Sequence, residues 1–188
     1  MSQVDLLRHV VASLEAASIE YMITGSIASS LQGEPRATHD LDVVVAIREA
    51  DVAAVLEAFP SPRFYLDEEA IGEAIRTAGM FNVIDVAEGD KVDFWMLTDD
   101  PFDRCRFGRR IRESVFGFGL EVSTPEDTIL AKLRWSRLGG DTTKPYVDAL
   151  RVYEVQQGII DRSYLKDWAE KLDVGDLWDR LQAEAEPI

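Results

Sequence analysis

Apolar positions along the chain repeat with two different periods, which separates predicted helices from predicted strands. Residues 2–17 place apolar side chains at helical spacing behind a serine that can cap the first turn, so we predict an amphipathic helix there. Short apolar runs predict strands at 21–24, 41–47, 81–87, 92–97, 109–116 and 119–123. Further helices are predicted at 27–31, 49–59, 67–78, 125–138, 145–157, 161–171 and 174–184.

The order of these elements indicates the fold class. Strands and helices are mixed up to residue 123, and only helices follow from Pro125 onward. This order predicts an α+β fold, with a mixed sheet flanked by helices. We expect residues 1–123 to form the core and residues 124–188 to form a helical C-terminal extension packed on it.

Composition excludes several classes of protein. The chain has 188 residues, of which 46% are hydrophobic, so it is not wholly disordered. Since no run of about 18 apolar residues occurs, we expect no membrane partner. The single cysteine, Cys105, cannot form an internal disulfide, and two histidines exclude a three-histidine zinc centre. The first residues lack the pattern of a secretory signal, so we expect a cytoplasmic protein.

Charge is distributed unevenly along the chain. Residues 1–100 carry 6 basic and 19 acidic residues, whereas residues 101–188 carry 14 basic and 16 acidic ones. Cationic contacts to a phosphate-bearing ligand should therefore come mostly from the second half. The densest basic group is Arg104, Arg106, Arg109, Arg110 and Arg112. It could follow an RNA backbone, but it could equally form an exposed strand face or contact the acidic half.

Two pairs of residues next to predicted strands are suited to binding a phosphate and a metal ion, respectively. Gly25 and Ser26 follow the strand at 21–24 and precede a helix, where backbone N–H groups and the serine hydroxyl can approach a phosphate. Asp40 and Asp42 begin the next strand, so their carboxylates share one face at a spacing of about 6.6 Å. Two unpaired acids at that spacing repel each other, and a Mg²⁺ ion relieves the repulsion.

Each feature alone also has an ordinary structural explanation. A glycine–serine pair between a strand and a helix is often only a turn, and two aspartates at a strand end are often solvated. Together they are the two parts that metal-assisted phosphoryl or nucleotidyl transfer requires. One part holds the phosphates, and the other holds the cations that polarise them.

The spacing of these residues resembles that of polymerase-beta-like nucleotidyltransferases. Gly25 and Ser26 are followed by 13 residues and then by Asp40-Leu41-Asp42-Val43, as in that superfamily. The stretch 36–42, Arg-Ala-Thr-His-Asp-Leu-Asp, is similar to the bacterial branch that contains AbiEii-type toxins. The resemblance implies the nucleotidyltransferase fold. It also implies transfer of a nucleoside monophosphate from an NTP to an acceptor hydroxyl, with Mg²⁺ or Mn²⁺ as cofactor.

The resemblance also implies roles for individual residues. Asp40 and Asp42 would hold the metal ions, and Gly25 and Ser26 the β- and γ-phosphates. A third carboxylate is expected from a neighbouring strand, and Asp93 is our candidate because it interrupts an apolar run. Asp85 is a competitor, and Asp93 could also be an ordinary solvated residue.

Cationic side chains expected at the phosphates are Arg36, Lys132 and Lys144. Lys132 lies in a stretch similar to the lysine-bearing helix of the AbiEii-type branch. Lys144 and Asp148 match the branch's last motif, Arg-x-Lys-Asp-x-x-Asp, but threonine stands at position 142 and proline at 145 in place of its arginine and first aspartate. The ordinary alternatives are a surface lysine and an i,i+4 surface pair.

The sequence is compatible with several kinds of acceptor. An RNA end such as that of a tRNA, a protein hydroxyl and a small molecule are all compatible with the residues. The AbiEii-type branch implies a toxin with a separate antitoxin protein. A different class of function is a non-catalytic protein that binds a nucleotide or a partner on a degenerate nucleotidyltransferase scaffold.

Overall fold

The computed structural model describes residues 2–35 and 40–186. Within these residues the chain has seven strands and nine α-helices. The strands are β1 (Tyr21–Thr24), β2 (Asp40–Val45), β3 (Phe64–Tyr65), β4 (Met80–Asp85), β5 (Lys91–Met96), β6 (Ile111–Val115) and β7 (Phe118–Val122). The helices are α1 (Gln3–Ala16), α2 (Gly25–Gln32), α3 (Val52–Ala58), α4 (Glu68–Thr77), α5 (Pro101–Arg109), α6 (Pro125–Leu138), α7 (Thr143–Gln156), α8 (Arg162–Lys171) and α9 (Gly175–Glu184).

The described residues form two compact units. The first contains residues 2–24 and 40–122, and therefore the whole sheet with α1, α3, α4 and α5. The second contains residues 25–35 and 123–186, so the early helix α2 groups with the helices α6–α9. The predicted domains 1–123 and 124–188 remain a proposal.

One mixed sheet of seven strands in the order β3-β4-β5-β2-β1-β7-β6 forms the frame of the first unit. β2 runs parallel to β5, and β1 runs parallel to β7, while the other neighbouring pairs are antiparallel. This architecture confirms the predicted α+β class with a mixed sheet and flanking helices. No helix in the described part of the chain has the length and apolar character needed to cross a bilayer.

The two faces of the central strands differ in chemistry. Successive side chains alternate between faces, and register partners on adjacent strands point the same way. One face of β2 and β5 is buried and apolar, and it carries Leu41, Val43, Val45, Val92, Phe94 and Met96. The opposite face carries Asp40, Asp42, Val44, Lys91, Asp93 and Trp95. One pair of strands therefore supplies both the core and a row of acidic groups.

The predicted first helix is confirmed together with its cap. The Ser2 hydroxyl oxygen accepts a hydrogen bond from the Asp5 backbone N–H at 3.2 Å, which satisfies one of the free amides of the first turn of α1. The buried face of α1 consists of Leu6, Leu7, Val10, Val11 and Leu14. These positions follow the helical period that the sequence predicts.

Within the second unit, α2 and α7 approach each other closely at Gly33. A Cβ atom on Gly33 would lie 2.9 Å from the Val152 nitrogen and 3.1 Å from the Ser29 carbonyl oxygen. Since both are backbone atoms, neither can move aside as a side chain can. Glycine at this position is thus required by packing between the helices.

Several elements differ from the sequence prediction. Residues 101–109 form α5, where no helix was predicted, and β6 begins at Ile111 rather than at 109. Phe64–Tyr65 add a short edge strand, β3. The predicted helix at 49–59 is a 3₁₀ turn at Glu49–Asp51 that continues into α3.

Candidate active site

The three candidate carboxylates lie on one face of the sheet in the first unit. Asp42 of β2 is in register with Asp93 of the parallel strand β5, and Asp40 is two residues from Asp42. On the other side of Asp42, its register partner is Thr24 at the end of β1. Adjacent strands are about 4.8 Å apart, so these acids are neighbours across the sheet. The register joins positions that are 51 residues apart in the chain.

Burial increases from Asp40 to Asp93. Asp40 is exposed, Asp42 is partly buried, and the Asp93 side chain is 10% exposed. The Oδ1 atom of Asp93 is buried and has no hydrogen-bond partner among the residues that the structure describes. An unsatisfied buried acceptor costs about 1–3 kcal/mol, and such groups often mark places where a ligand or ion binds.

A lysine partly neutralises this acidic face. The Lys91 Nζ atom lies 2.8 Å from Oδ2 of Asp93. The hydrogen bond with Asp93 raises the pKa of the Lys91 ammonium, and partial burial opposes that rise. The negative charges of Asp40 and Asp42, which lie on the same face of the sheet, also raise this pKa.

Trp95 contacts the second acid of the pair. Its indole Nε1–H donates a hydrogen bond to Asp42 Oδ1 at 3.2 Å. Trp95 is two residues from Asp93 on β5, so it shares the acidic face, where it also packs against Met22, Val44 and Phe107. The tryptophan therefore fixes one Asp42 oxygen while covering the apolar part of the same face.

The carboxylates fit a divalent cation chemically. Mg²⁺ and Mn²⁺ take oxygen ligands from a few carboxylates and from substrate phosphates, and the unpartnered Asp93 oxygen offers such a ligand. Within residues 2–35 and 40–186, however, no three His, Cys, Asp or Glu side chains are already gathered tightly enough to form a metal site. The ion pair of Asp93 with Lys91 and the hydrogen bond from Trp95 to Asp42 are the contacts that metal binding would have to rearrange.

Asp85, the competing third acid, is on the opposite face of the sheet. It is three residues from Asn82, which is the register partner of Asp93 on β4. Because sides alternate along a strand, Asp85 and Asn82 point in opposite directions. Asp85 is 1% exposed, lies 3.8 Å from an Arg63 nitrogen and accepts a hydrogen bond from the Ala87 backbone. Its Oδ2 atom is likewise buried without a hydrogen-bond partner among the described residues, so the face of the sheet, rather than burial, separates Asp85 from Asp40 and Asp42.

The remaining candidates belong to the second unit. Gly25 follows Thr24 directly, has φ +62° and opens α2 together with Ser26. This left-handed backbone conformation favours glycine, as the turn between β1 and α2 requires. Arg36 lies outside the described residues.

The two candidate lysines of this unit have different surroundings. Lys132 of α6 is 12% exposed, and its Nζ lies 2.7 Å from Oδ2 of Asp148 on α7, which is 9% exposed. Lys144 is exposed near the start of α7. The structure therefore joins Asp148 to Lys132 in a buried pair, a contact that the sequence did not predict.

The arginine group is largely paired with carboxylates. Ion pairs join Arg104 to Asp99, Arg106 to Asp103, Arg110 to Glu20 and Arg112 to Glu15. The first three of these arginines lie on or next to α5, and Arg112 lies on β6. Contact with acidic residues, one of the alternatives for this group, is therefore present in the structure.

Comparison with known proteins supports the fold. The sequence matches no family model and no curated protein. Among solved structures, it is similar to the antibiotic-resistance factor ANT(2'')-Ia in solution, at 13% identity and a TM-score of 0.54, over 96% of this chain and 94% of the other. A crystal structure of ANT(2'')-Ia with adenylyl-2''-tobramycin gives 13% identity and a TM-score of 0.56, over 97% and 98% of the two chains.

Two other solved structures give the same result. The antigenic nucleotidyltransferase-like protein from Paracoccidioides brasiliensis is 15% identical, with a TM-score of 0.57, over 94% of this chain and 90% of the other. The lincosamide antibiotic adenylyltransferase LnuA, with lincomycin bound, is 11% identical, with a TM-score of 0.56, over 82% and 98%. At such low identity the likeness concerns the fold alone, and it shows that this chain has the fold of these nucleotidyltransferases.

Proposed function

We propose that the protein is a metal-dependent nucleotidyltransferase that moves a nucleoside monophosphate from an NTP to an acceptor hydroxyl. The observation that carries this proposal is the register of Asp42 with Asp93, with Asp40 on the same face. In addition, one buried Asp93 oxygen lacks a hydrogen-bond partner among the described residues. Carboxylates on adjacent strands repel each other. A divalent cation bound between them neutralises their charges, so the carboxylates favour its binding.

In this proposal each acid has a role. Asp40 and Asp42 hold Mg²⁺ or Mn²⁺, and Asp93 contributes a further oxygen. The cation, when bound, neutralises charge on the phosphates and lowers the barrier to attack. The acceptor oxygen forms a bond to the α-phosphorus, the bond to the pyrophosphate oxygen breaks, and the Asp93 carboxylate accepts the proton of the acceptor hydroxyl. Asp93 is suited to this step because it is the most buried of the three acids.

The phosphates require donors and positive charge. We assign the β- and γ-phosphates to the backbone N–H groups and hydroxyl of Gly25 and Ser26, since an N–H-rich turn at the start of a helix favours anions. Arg36, Lys132 and Lys144 are proposed as additional cations. For Lys132 this role requires release from Asp148, which now holds its ammonium.

The charge of the chain favours a small acceptor over an extended RNA. The first 100 residues carry a net charge of −13, and RNA binding depends on neutralising phosphates. The solved structures of similar fold include one with adenylyl-2''-tobramycin and one with lincomycin. We therefore propose a small-molecule hydroxyl as the acceptor. A tRNA or protein acceptor, a toxin role with an antitoxin partner, and a cytoplasmic location rest on sequence reasoning alone.

A non-catalytic protein on the same scaffold is the second candidate. The observation that favours it is that the acids are engaged by Lys91 and Trp95 rather than already gathered for a metal ion in the described residues. Such a protein would bind an NTP with a divalent cation but would release no pyrophosphate with any acceptor.

The test compares wild-type protein with Asp42→Asn and with Asp99→Asn as control. Asp99 has a side chain that is 96% exposed and pairs with Arg104, so its replacement changes the charge equally without touching the acidic face. Pyrophosphate release is measured with each NTP, Mg²⁺ or Mn²⁺, and a panel of aminoglycosides, lincosamides and tRNA.

We expect Asp42→Asn to lower the rate by more than about 100-fold, because a metal ligand supplies several kcal/mol of transition-state stabilisation. Circular dichroism should show an unchanged fold, since asparagine keeps the acceptor for Trp95. Undiminished transfer by Asp42→Asn would refute the mechanism. Metal-dependent NTP binding without any transfer by the wild type would support the non-catalytic candidate.

A further inference from the structure

Lys91 is a basic residue on the acidic face of β5. It is two residues before Asp93 on β5 and is the register partner of Asp40 on β2. Both relations put its side chain on the face that carries the three acids. A lysine at this point of a strand is therefore surrounded by carboxylates from its own strand and from its neighbour.

The ion pair with Lys91 occupies one of the Asp93 oxygens that a metal ion could use as a ligand. The Lys91 ammonium is 2.8 Å from Oδ2 of Asp93, while Oδ1 of the same carboxylate is buried without a partner. Among the described residues, the Lys91 ammonium therefore engages one oxygen of the Asp93 carboxylate and leaves the other without a hydrogen bond.

We infer that Lys91 is an exchangeable counter-ion, which holds Asp93 when no divalent cation is bound and gives it up when one binds. This inference rests on the proposed metal site. Mg²⁺ or Mn²⁺ and the ammonium need the same carboxylate and repel each other, so they compete for it. Lys91 thereby lowers the affinity of the site for the cation alone and favours binding of the cation together with phosphates, which bring their own negative charge.

The geometry allows the exchange. The Lys91 side chain is 37% exposed, whereas that of Asp93 is 10% exposed. A lysine has a flexible four-carbon stem and a strongly hydrated head group, so the ammonium can move into water or toward a phosphate while Asp93 stays in place. A buried arginine held by two parallel hydrogen bonds could not leave as easily.

The experiment measures binding of Mn²⁺ alone by isothermal titration calorimetry. The variants are Lys91→Met, which keeps an unbranched side chain without charge, and Lys91→Arg, which keeps the charge. Lys166→Met is the control for loss of one positive charge, since Lys166 is an exposed residue of α8 in the second unit. Asp93→Asn tests whether the ion binds at the proposed site.

We expect Lys91→Met to bind Mn²⁺ at least tenfold more tightly than the wild type and Lys166→Met to bind it equally. Lys91→Arg should bind at least threefold more weakly, because a guanidinium can engage both Asp93 oxygens. This variant keeps the test valid if Lys91→Met does not fold. Asp93→Asn should lose most of the Mn²⁺ binding.

Two results would overturn the inference, and they differ in what they say of the proposed function. Equal or weaker Mn²⁺ binding by Lys91→Met, with binding lost in Asp93→Asn, refutes the exchange but leaves the metal site intact. Absence of Mn²⁺ binding in the wild type and in folded Lys91→Met refutes the metal site, and the exchange with it.

Discussion

The ion pair between Lys132 and Asp148 leads to a prediction about the stability of the second unit. The Nζ and Oδ2 atoms are 2.7 Å apart, and the side chains are only 12% and 9% exposed. Replacing Lys132 with methionine preserves most of the apolar stem but leaves a buried carboxylate without this cation. Removal of one partner of a buried pair costs about 3–5 kcal/mol, so we expect Lys132→Met to lower the free energy of unfolding by about that much.

A double-mutant cycle separates the pair from its surroundings. Asp148→Leu alone should be destabilising because it leaves the Lys132 ammonium buried, whereas Lys132→Met with Asp148→Leu should regain most of the loss, since both charges are then absent. The free energies come from urea unfolding followed by circular dichroism. Lys144→Met, at an exposed lysine of the same unit, is the matched control and should leave the unfolding midpoint in place.

The same variants distinguish a structural lysine from a substrate-binding one. If Lys132 only supports the helices α6 and α7, Lys132→Met loses stability and keeps its KM for NTP at a temperature where it is folded. If Lys132 leaves Asp148 to bind phosphates, the KM for NTP rises as well. A loss of less than about 1 kcal/mol in Lys132→Met, with no coupling in the cycle, would refute the claim that this pair stabilises the unit.

Two further predictions concern packing and titration. Gly33→Ala should lower the free energy of unfolding, measured with urea, by about 1–3 kcal/mol, because its Cβ would meet the backbone of Val152 and Ser29. Gly175→Ala is the control and should change little, since a Cβ there meets nothing within 4 Å. Equal effects of the two substitutions would contradict this explanation. Burial, with a contribution from Glu15, raises the pKa of Tyr21 to about 12. Since the unfolded value is about 10, neutral Tyr21 stabilises the fold below pH 10, and this contribution is lost as the pH rises to about 12. The midpoint of urea unfolding should therefore fall less between these pH values in Tyr21→Phe than in the wild type. An equal fall in the two proteins would show that the titration of Tyr21 is not its cause.

Strands with a clear apolar run could be predicted from the sequence. β1 begins and ends at the predicted residues, and β2 lies within one or two residues of its prediction. Both consist largely of apolar side chains that are buried, so their local pattern and their tertiary environment agree. The C-terminal helices were predictable for the same reason, since Pro125 at the first turn and a threonine cap mark the start of α6.

Helix α5 was missed because its apolar pattern is weak. Its buried side chains are Phe102 and Phe107, five residues apart, and five of its nine residues are Asp, Arg or Gly. A local signal did exist. Asp100 accepts hydrogen bonds from the backbone N–H groups of Phe102 and Asp103, and Pro101 occupies the first turn, which is a typical helix start.

The candidate site could be predicted in part. The residues were found by their chemistry, but the register of Asp42 with Asp93 depends on pairing β2 with β5, and this pairing is a property of the tertiary fold. The contacts of Lys91 and Trp95 were accessible in principle, because both are two residues from Asp93 and a strand places such residues on one face. Trp95 both packs against the buried cluster of Met22, Val44 and Phe107 and donates a hydrogen bond to Asp42.

The position of the lysine follows from the gradient of burial along the acidic face. Asp40 is exposed, so water screens its charge. Asp93 is nearly buried, and a carboxylate removed from water requires a cation or hydrogen-bond donors to remain charged. Lys91 meets that requirement at the one acid where desolvation is greatest, yet it satisfies only one of its two oxygens. A fold that needed only a neutral face could carry an apolar residue at position 93, as it does at positions 44 and 95 of the same face. The charge retained at position 93 is therefore what the proposed cation site would use.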